Sequence, residues 1–215
     1  MTSAGNPTEL TADQLESLLK DPKSTTEFRI LRATRRLLAR EGLGISIDAV
    51  ADEAGLGRRT VFRHFATRDE LVARALSESL SRFHTQVADA LSESTDFDQW
   101  LTDVVSKLLG SQSRAGAGLW QLAASNDEDL PEALAVVNRH RREARRSLTQ
   151  SIARAAWNKV GGSGAVPRSV ELAFALSISS FAIHSLDVDY ESQSNESVAA
   201  VVEMLAATVR SAAAR

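Results

Sequence analysis

Four arginines, Arg58, Arg59, Arg63 and Arg68, fall within eleven residues that contain no acid. Together they make a basic run that could act on a partner. A guanidinium can fork onto guanine O6 and N7 or onto a phosphate, and a threonine can meet a thymine methyl or a phosphate oxygen. Thr60 and His64 lie in the same stretch and add hydrogen-bonding capacity. Ser46 reads as a helix N-cap that leaves backbone N–H groups facing outward, an arrangement suited to a phosphate. The chemistry on offer is polyanion binding, although a short solvated basic helix would carry the same residue types.

Other chemistries lack their residues. The chain has no cysteine, which excludes disulfide scaffolds, thiol nucleophiles, cysteine zinc sites and iron–sulfur clusters. The four histidines, at 64, 84, 140 and 184, show no i, i+4 pairing that would hold a metal. Gly116 and Gly118 follow no strand pattern and so make no dinucleotide loop, and no serine sits in a nucleophile elbow. No enzyme activity, cofactor or metal is expected.

A second group of residues could receive a small molecule. Trp100, Trp120, Phe174 and Phe181, with Phe97 and Trp157, could line an apolar pocket between helices or simply fill a core. Arg141 interrupts the apolar stripe Leu134, Val137, Ala144, Leu148. A charge there needs a partner. It either snorkels, pairs with an acid such as Asp98 or Asp103, or serves as the counter-charge of an anionic ligand. Arg139, Arg142, Arg145 and Arg146 read as a solvated face, and His184 reads as a hydrogen-bonded core histidine or a ligand contact.

These residues must be positioned by helices, because apolar residues recur at i, i+3, i+4, i+7 and strand-like alternation is scarce. The spacing predicts an all-α chain, with helices at Leu10–Lys20, from Ser24 to Gly42, at Ser46–Ala54 and Arg58–His64, and from a Thr67/Glu70 capping box to about Leu91. Further helices are expected at 96–110, 115–125, 130–158, 167–187 and 195–213. Two short helices separated by about three residues must cross steeply on a third. Ala51 is small at the crossing, Gly55 permits a turn with positive φ, and Leu56 and Val61 point back into the core. That is the helix-turn-helix pattern, whose second helix enters a major groove.

Charge follows the same division. Residues 25–76 hold ten arginines against seven acids, whereas the chain as a whole carries a net charge of −3. A basic segment on an acidic body directs an anionic partner to that segment. The expected division is an N-terminal extension over 1–24, a helix-turn-helix DNA-binding domain over 25–72 and a helical ligand-binding and dimerisation domain over 73–215. No apolar run is long enough to span a membrane and none resembles a secretory signal, so a cytoplasmic protein without membrane attachment is expected.

Residues 29–71 resemble the DNA-binding domain of the TetR/AcrR family of bacterial transcriptional regulators. The resemblance rests on the Ile30–Leu38 helix, Gly42, Ser46–Ile47, Val50–Ala51, Ala54–Gly55–Leu56, Thr60–Val61–Phe62, His64–Phe65 and Asp69–Glu70–Leu71. It implies a homodimer that binds double-stranded operator DNA and is released by a small-molecule effector. It also implies Arg58 and Arg59 as base readers, Thr60 at a base or phosphate, and Phe62, His64 and Arg68 at the backbone. Gly57 stands where the family usually has a serine-type cap, and Phe62 where it usually has tyrosine. The segments 167–187 and 195–213, rich in apolar and small residues, would pair between two chains as a four-helix interface, or else fill a monomer core. The alternative function is a helical protein-interaction module that does not bind DNA specifically.

Overall fold

A computed structural model describes residues 25–90, 96–113 and 116–215, and every regular element among them is helical. The expected Leu10–Lys20 helix and the start of the helix expected from Ser24 lie outside the described residues. Helix α1 (Thr25–Glu41) buries Ile30, Leu31, Ala33, Leu37 and Leu38, and its one buried hydroxyl, Thr34, donates to the Ile30 carbonyl at 2.8 Å. Next come α2 (Ile47–Ala54), α3 (Arg58–His64) and α4 (Arg68–Ala90). The Thr67 hydroxyl caps α4 by accepting from the Glu70 N–H at 3.1 Å, and the Glu70 carboxylate reaches back to the Ala66 N–H at 2.9 Å.

The rest of the chain forms α5 (Phe97–Ser113), α6 (Gly116–Ala124), α7 (Glu132–Lys159), α8 (Arg168–Ser177), α9 (Ser180–His184) and α10 (Ser194–Ala213). A π-helical turn, Ser185–Asp189, continues α9. Two apolar cores result. One joins α1 to α4 and is completed by Leu122 of α6 and by Leu134 and Val137 of α7. The other is built around Trp100, Leu108, Ile152, Phe174, Leu205 and Val209.

One expected helix is two. The apolar pattern runs unbroken through 167–187, but α8 ends at Ser177 and Ser179 is extended, with φ −85° and ψ 149°. Its hydroxyl accepts from the Ala182 N–H at 3.0 Å and so starts α9. Serine favours caps over helix interiors because its side chain competes for backbone groups, and apolar periodicity does not register that competition.

Helix α6 packs back on α1, and the contact depends on glycine. A Cβ on Gly116, whose φ is +63°, would lie 2.3 Å from the Ala39 carbonyl oxygen, and one on Gly118 would lie 3.0 Å from that of Leu38. From the same helix, Gln121 Oε1 accepts from the Leu43 N–H at 2.6 Å, just past the end of α1.

Candidate nucleic-acid interface

The crossing of α2 and α3 is set by a turn closed by two backbone hydrogen bonds. Gly55 is left-handed at φ 63° and ψ 44°, its N–H donates to Asp52 O at 3.0 Å, and the Leu56 N–H donates to Ala51 O at 2.9 Å. This paired closure is the Schellman motif, and it favours glycine at its left-handed position. Ala51 and Val61 are buried where the two helices meet on α1. Two arginines of α1 lock the arrangement from outside. Arg29 donates to Ala54 O at 2.8 Å and Gly55 O at 3.4 Å, and Arg36 pairs with Glu53 at 2.7 Å. Both clamps join residues far apart in the chain, so no local pattern announced them.

The outward face carries the expected groups in different states of readiness. Arg59 and Arg63 are exposed and have no partner among the described residues. Arg58 is exposed too, but it pairs with Asp48 of α2 at 2.7 Å and lies over the Phe62 ring at 5.3 Å. Thr60 and His64 are half-buried, and Phe62 is 40% exposed. Ser46 caps α2 by accepting from the Ala49 N–H at 3.1 Å, so its hydroxyl oxygen already has a backbone partner. Arg68 donates through Nε to the Ile45 carbonyl at 2.6 Å and pairs with Asp69 at 2.7 Å. It therefore braces the start of α4 against the residues leading into α2, a structural bond that its place in a basic run did not disclose.

In the body, the six side chains considered for a small-molecule pocket do not converge. Trp100 and Phe174 are fully buried in the second core. Trp120 and His184 stack on each other with ring centroids 4.6 Å apart. Arg141 and Phe181 do share a cavity, of about 520 Å3, lying among α6, α7, α8 and the start of α9. Arg141 takes neither acid suggested for it: its Nε donates to Asn138 Oδ1 at 3.0 Å. Asp98 instead pairs with Arg210 at 2.6 Å, and Asp103 accepts from Gln99 at 2.9 Å. Arg142 and Arg146 are exposed, as a solvated face requires, while Arg145 is half-buried, and all three line the same cavity.

Burial, followed by the charges of Arg145 and Arg142, pushes the Arg141 guanidinium down to about 10. Burial also lowers Arg145. Arg142 forms a fork on Asp127, and that hydrogen bond holds the carboxyl of Asp127 below its usual range.

Comparison with known proteins agrees with this geometry. Residues 30–75 match the family model described as bacterial regulatory proteins of the tetR family. An HTH-type transcriptional regulator of Mycobacterium tuberculosis is 31% identical over 88 residues, spanning 40% of this chain and 37% of the relative. The match thus covers little more than a third of that relative's length. The fold is shared more widely. A transcriptional regulator of Pseudomonas aeruginosa superposes with a TM-score of 0.66 at 18% identity, covering 91% of this chain and 95% of its own. The Bacillus subtilis regulator FadR, solved in complex with stearoyl-CoA, gives 0.62 at 14% identity, covering 85% and 97%.

Proposed function

We propose that the chain, whose residues 30–75 match the tetR family of bacterial regulatory proteins, is a transcriptional regulator with a DNA-binding helix-turn-helix, a homodimeric repressor released from a palindromic operator by a small molecule. The observation that carries the DNA-binding part is the pair Arg59 and Arg63, unpartnered and exposed on a second helix whose angle is fixed by the Gly55 turn. Arg58, Arg59 and Thr60 read bases in this account. Ser46, Phe62, His64 and Arg68 lie along the phosphate backbone, with Arg68 also serving as a brace. The working division gives DNA binding to 25–72 and effector binding and dimerisation to 73–215.

The homodimer reading is supported by the apolar surface of the last helices. Leu176 of α8 and Met204 of α10 are exposed outside the cavity, Leu176 by 71%. Covering such side chains contributes about 25 cal/mol for each Å2 removed from water. Two-fold pairing of α8 and α10 would set two recognition helices at a fixed spacing, as two half-sites about one DNA turn apart require. Effector release is supported by the cavities of the body and by a structural neighbour solved with a small ligand. In this reading α6 carries the signal, since it borders the 520 Å3 cavity through Ala123 and abuts α1 through Gly116 and Gly118.

The test is to select an operator from a random duplex pool and titrate it with Arg59→Ala and Arg63→Ala. A side chain bidentate to guanine costs about 1–3 kcal/mol of discrimination when removed. One that touches only phosphate weakens all sequences alike and lowers the salt slope by about one. Unchanged affinity in both variants would overturn the docking of α3.

A further inference from the structure

The 520 Å3 cavity is charged beyond what the protein itself neutralises. Along α7, Arg141, Arg145 and Thr149 recur every four residues, with Arg142 and Arg146 on the adjoining row and Arg168 facing them from the start of α8. Two of the five arginines have carboxylates: Arg142 has Asp127, and Arg168 has Glu171 at 2.8 Å. Arg141 and Arg145 donate only to neutral oxygens, those of Asn138 and of the Ala175 carbonyl. Arg146 has no partner among the described residues. Three guanidinium groups thus line one cavity without a carboxylate partner of their own, and burial, followed by the charges of Arg145 and Arg142, lowers Arg141.

Thr149 is the second, independent observation. It lines the same cavity and is 5% exposed, and its buried hydroxyl has no hydrogen-bond partner. A threonine within a helix can place its hydroxyl on the carbonyl one turn back, as Thr34 does on Ile30. Thr149 does not, and a buried hydroxyl without a partner is destabilising. Solvated arginine stems would explain the charges but not this hydroxyl. The opposite wall is apolar, formed by Leu172, Ala175 and Phe181.

We propose that this cavity binds an anionic amphiphile, a carboxylate or phosphate monoester on an apolar arm. Arg141, Arg145 and Arg146 neutralise the head, the Thr149 hydroxyl donates to it, and Leu172 and Phe181 cover the arm. The inference rests on the effector reading above and supplies that effector's chemical class.

Calorimetry on the full chain without DNA, using octanoate, octyl phosphate, octanol and inorganic phosphate, tests it. Octanoate or octyl phosphate binds at least tenfold tighter than octanol and than inorganic phosphate, and the stronger of the two identifies the head. Thr149→Val weakens that binding about tenfold, the loss expected of a hydrogen bond to a charged group. It also raises the Tm of the ligand-free protein, as does Arg141→Met, because each removes a group held without its partner. Equal binding of octanol and octanoate, no binding of either amphiphile, or wild-type affinity in both variants would overturn the proposal. So would conversion of Arg141→Met to a monomer by light scattering, which would assign the arginines to carboxylates of a second copy. Failure of operator binding would strike the repressor reading alone, because no DNA enters this experiment.

Discussion

At the scale of single residues, the decisive comparison is between the bond Arg58 already has and the one DNA would offer. Its pair with Asp48 joins two exposed side chains and is worth about 0–1 kcal/mol. A bidentate contact to guanine is worth about 1–3 kcal/mol. In the proposed complex DNA would therefore draw Arg58 away from Asp48, and the pair would weaken binding slightly. Asp48→Ala should tighten operator binding severalfold at low salt, measured by fluorescence anisotropy; weakened binding would mean that the pair positions Arg58 rather than competing for it. Asp127 gives a pH prediction. Its folded pKa lies below the ordinary 3.8, chiefly through the Arg142 hydrogen bond, so its contribution is present above that value and is lost as pH falls through the folded pKa. Thermal melts should show a small loss below about pH 4 that is absent in Asp127→Asn, small because the site is solvent-screened. Composition and spacing made Arg58, Arg59, Arg63 and Arg68 legible as one basic run. They could not reveal the pairing of Arg58, the bond from Arg68 to Ile45, or the Arg29 clamp, because those partners come from folding and not from local order.

At the scale of elements, the turn was legible in detail and the joint between DNA-facing helices and body was not. Ala51, Gly55 and Val61 stand where steric limits leave few alternatives, and the structure uses each as the pattern demands. Gly116 and Gly118, by contrast, have no local role that a pattern could register. Their meaning is the approach of α6 to α1, with no room for a side chain at Gly116. Gly116→Ala should cost about 2–4 kcal/mol, from overpacking against Ala39 and from a left-handed φ that alanine resists. Urea denaturation measures it, and a cost below ~0.5 kcal/mol would show that α6 shifts away freely and cannot transmit strain to α1. The break between α8 and α9 was hidden for a related reason: periodicity reports which residues are apolar, and a serine cap is invisible to it.

At the scale of the whole molecule, the two cores interlock. The core beneath α3 is not closed by α1 to α4 alone but takes Leu122, Leu134 and Val137 from α6 and α7, which share a cluster with Val61. Leu176 on α8 and Met204 on α10 are exposed apolar side chains, and in the proposed dimer their faces fix the distance between two recognition helices. Leu176→Glu should give a monomer by light scattering, with its fold retained by circular dichroism and its operator affinity down by at least a hundredfold, since one recognition helix loses the benefit of the second. The all-helical class was readable from periodicity. The surface proposed to join two chains was readable only as an excess of apolar residues, since burial and exposure differ by packing and not by residue type.

The central claim is that two copies of this chain read one DNA sequence. The most direct measurement is a titration of the full chain onto the selected duplex and a scrambled duplex across a salt series, with stoichiometry from analytical ultracentrifugation. The account predicts two chains per site and at least ~1,000-fold preference for the selected duplex at physiological salt. Weak binding to both duplexes, equal in strength and falling steeply together with salt, would contradict it and leave the basic helix as a non-specific charge patch.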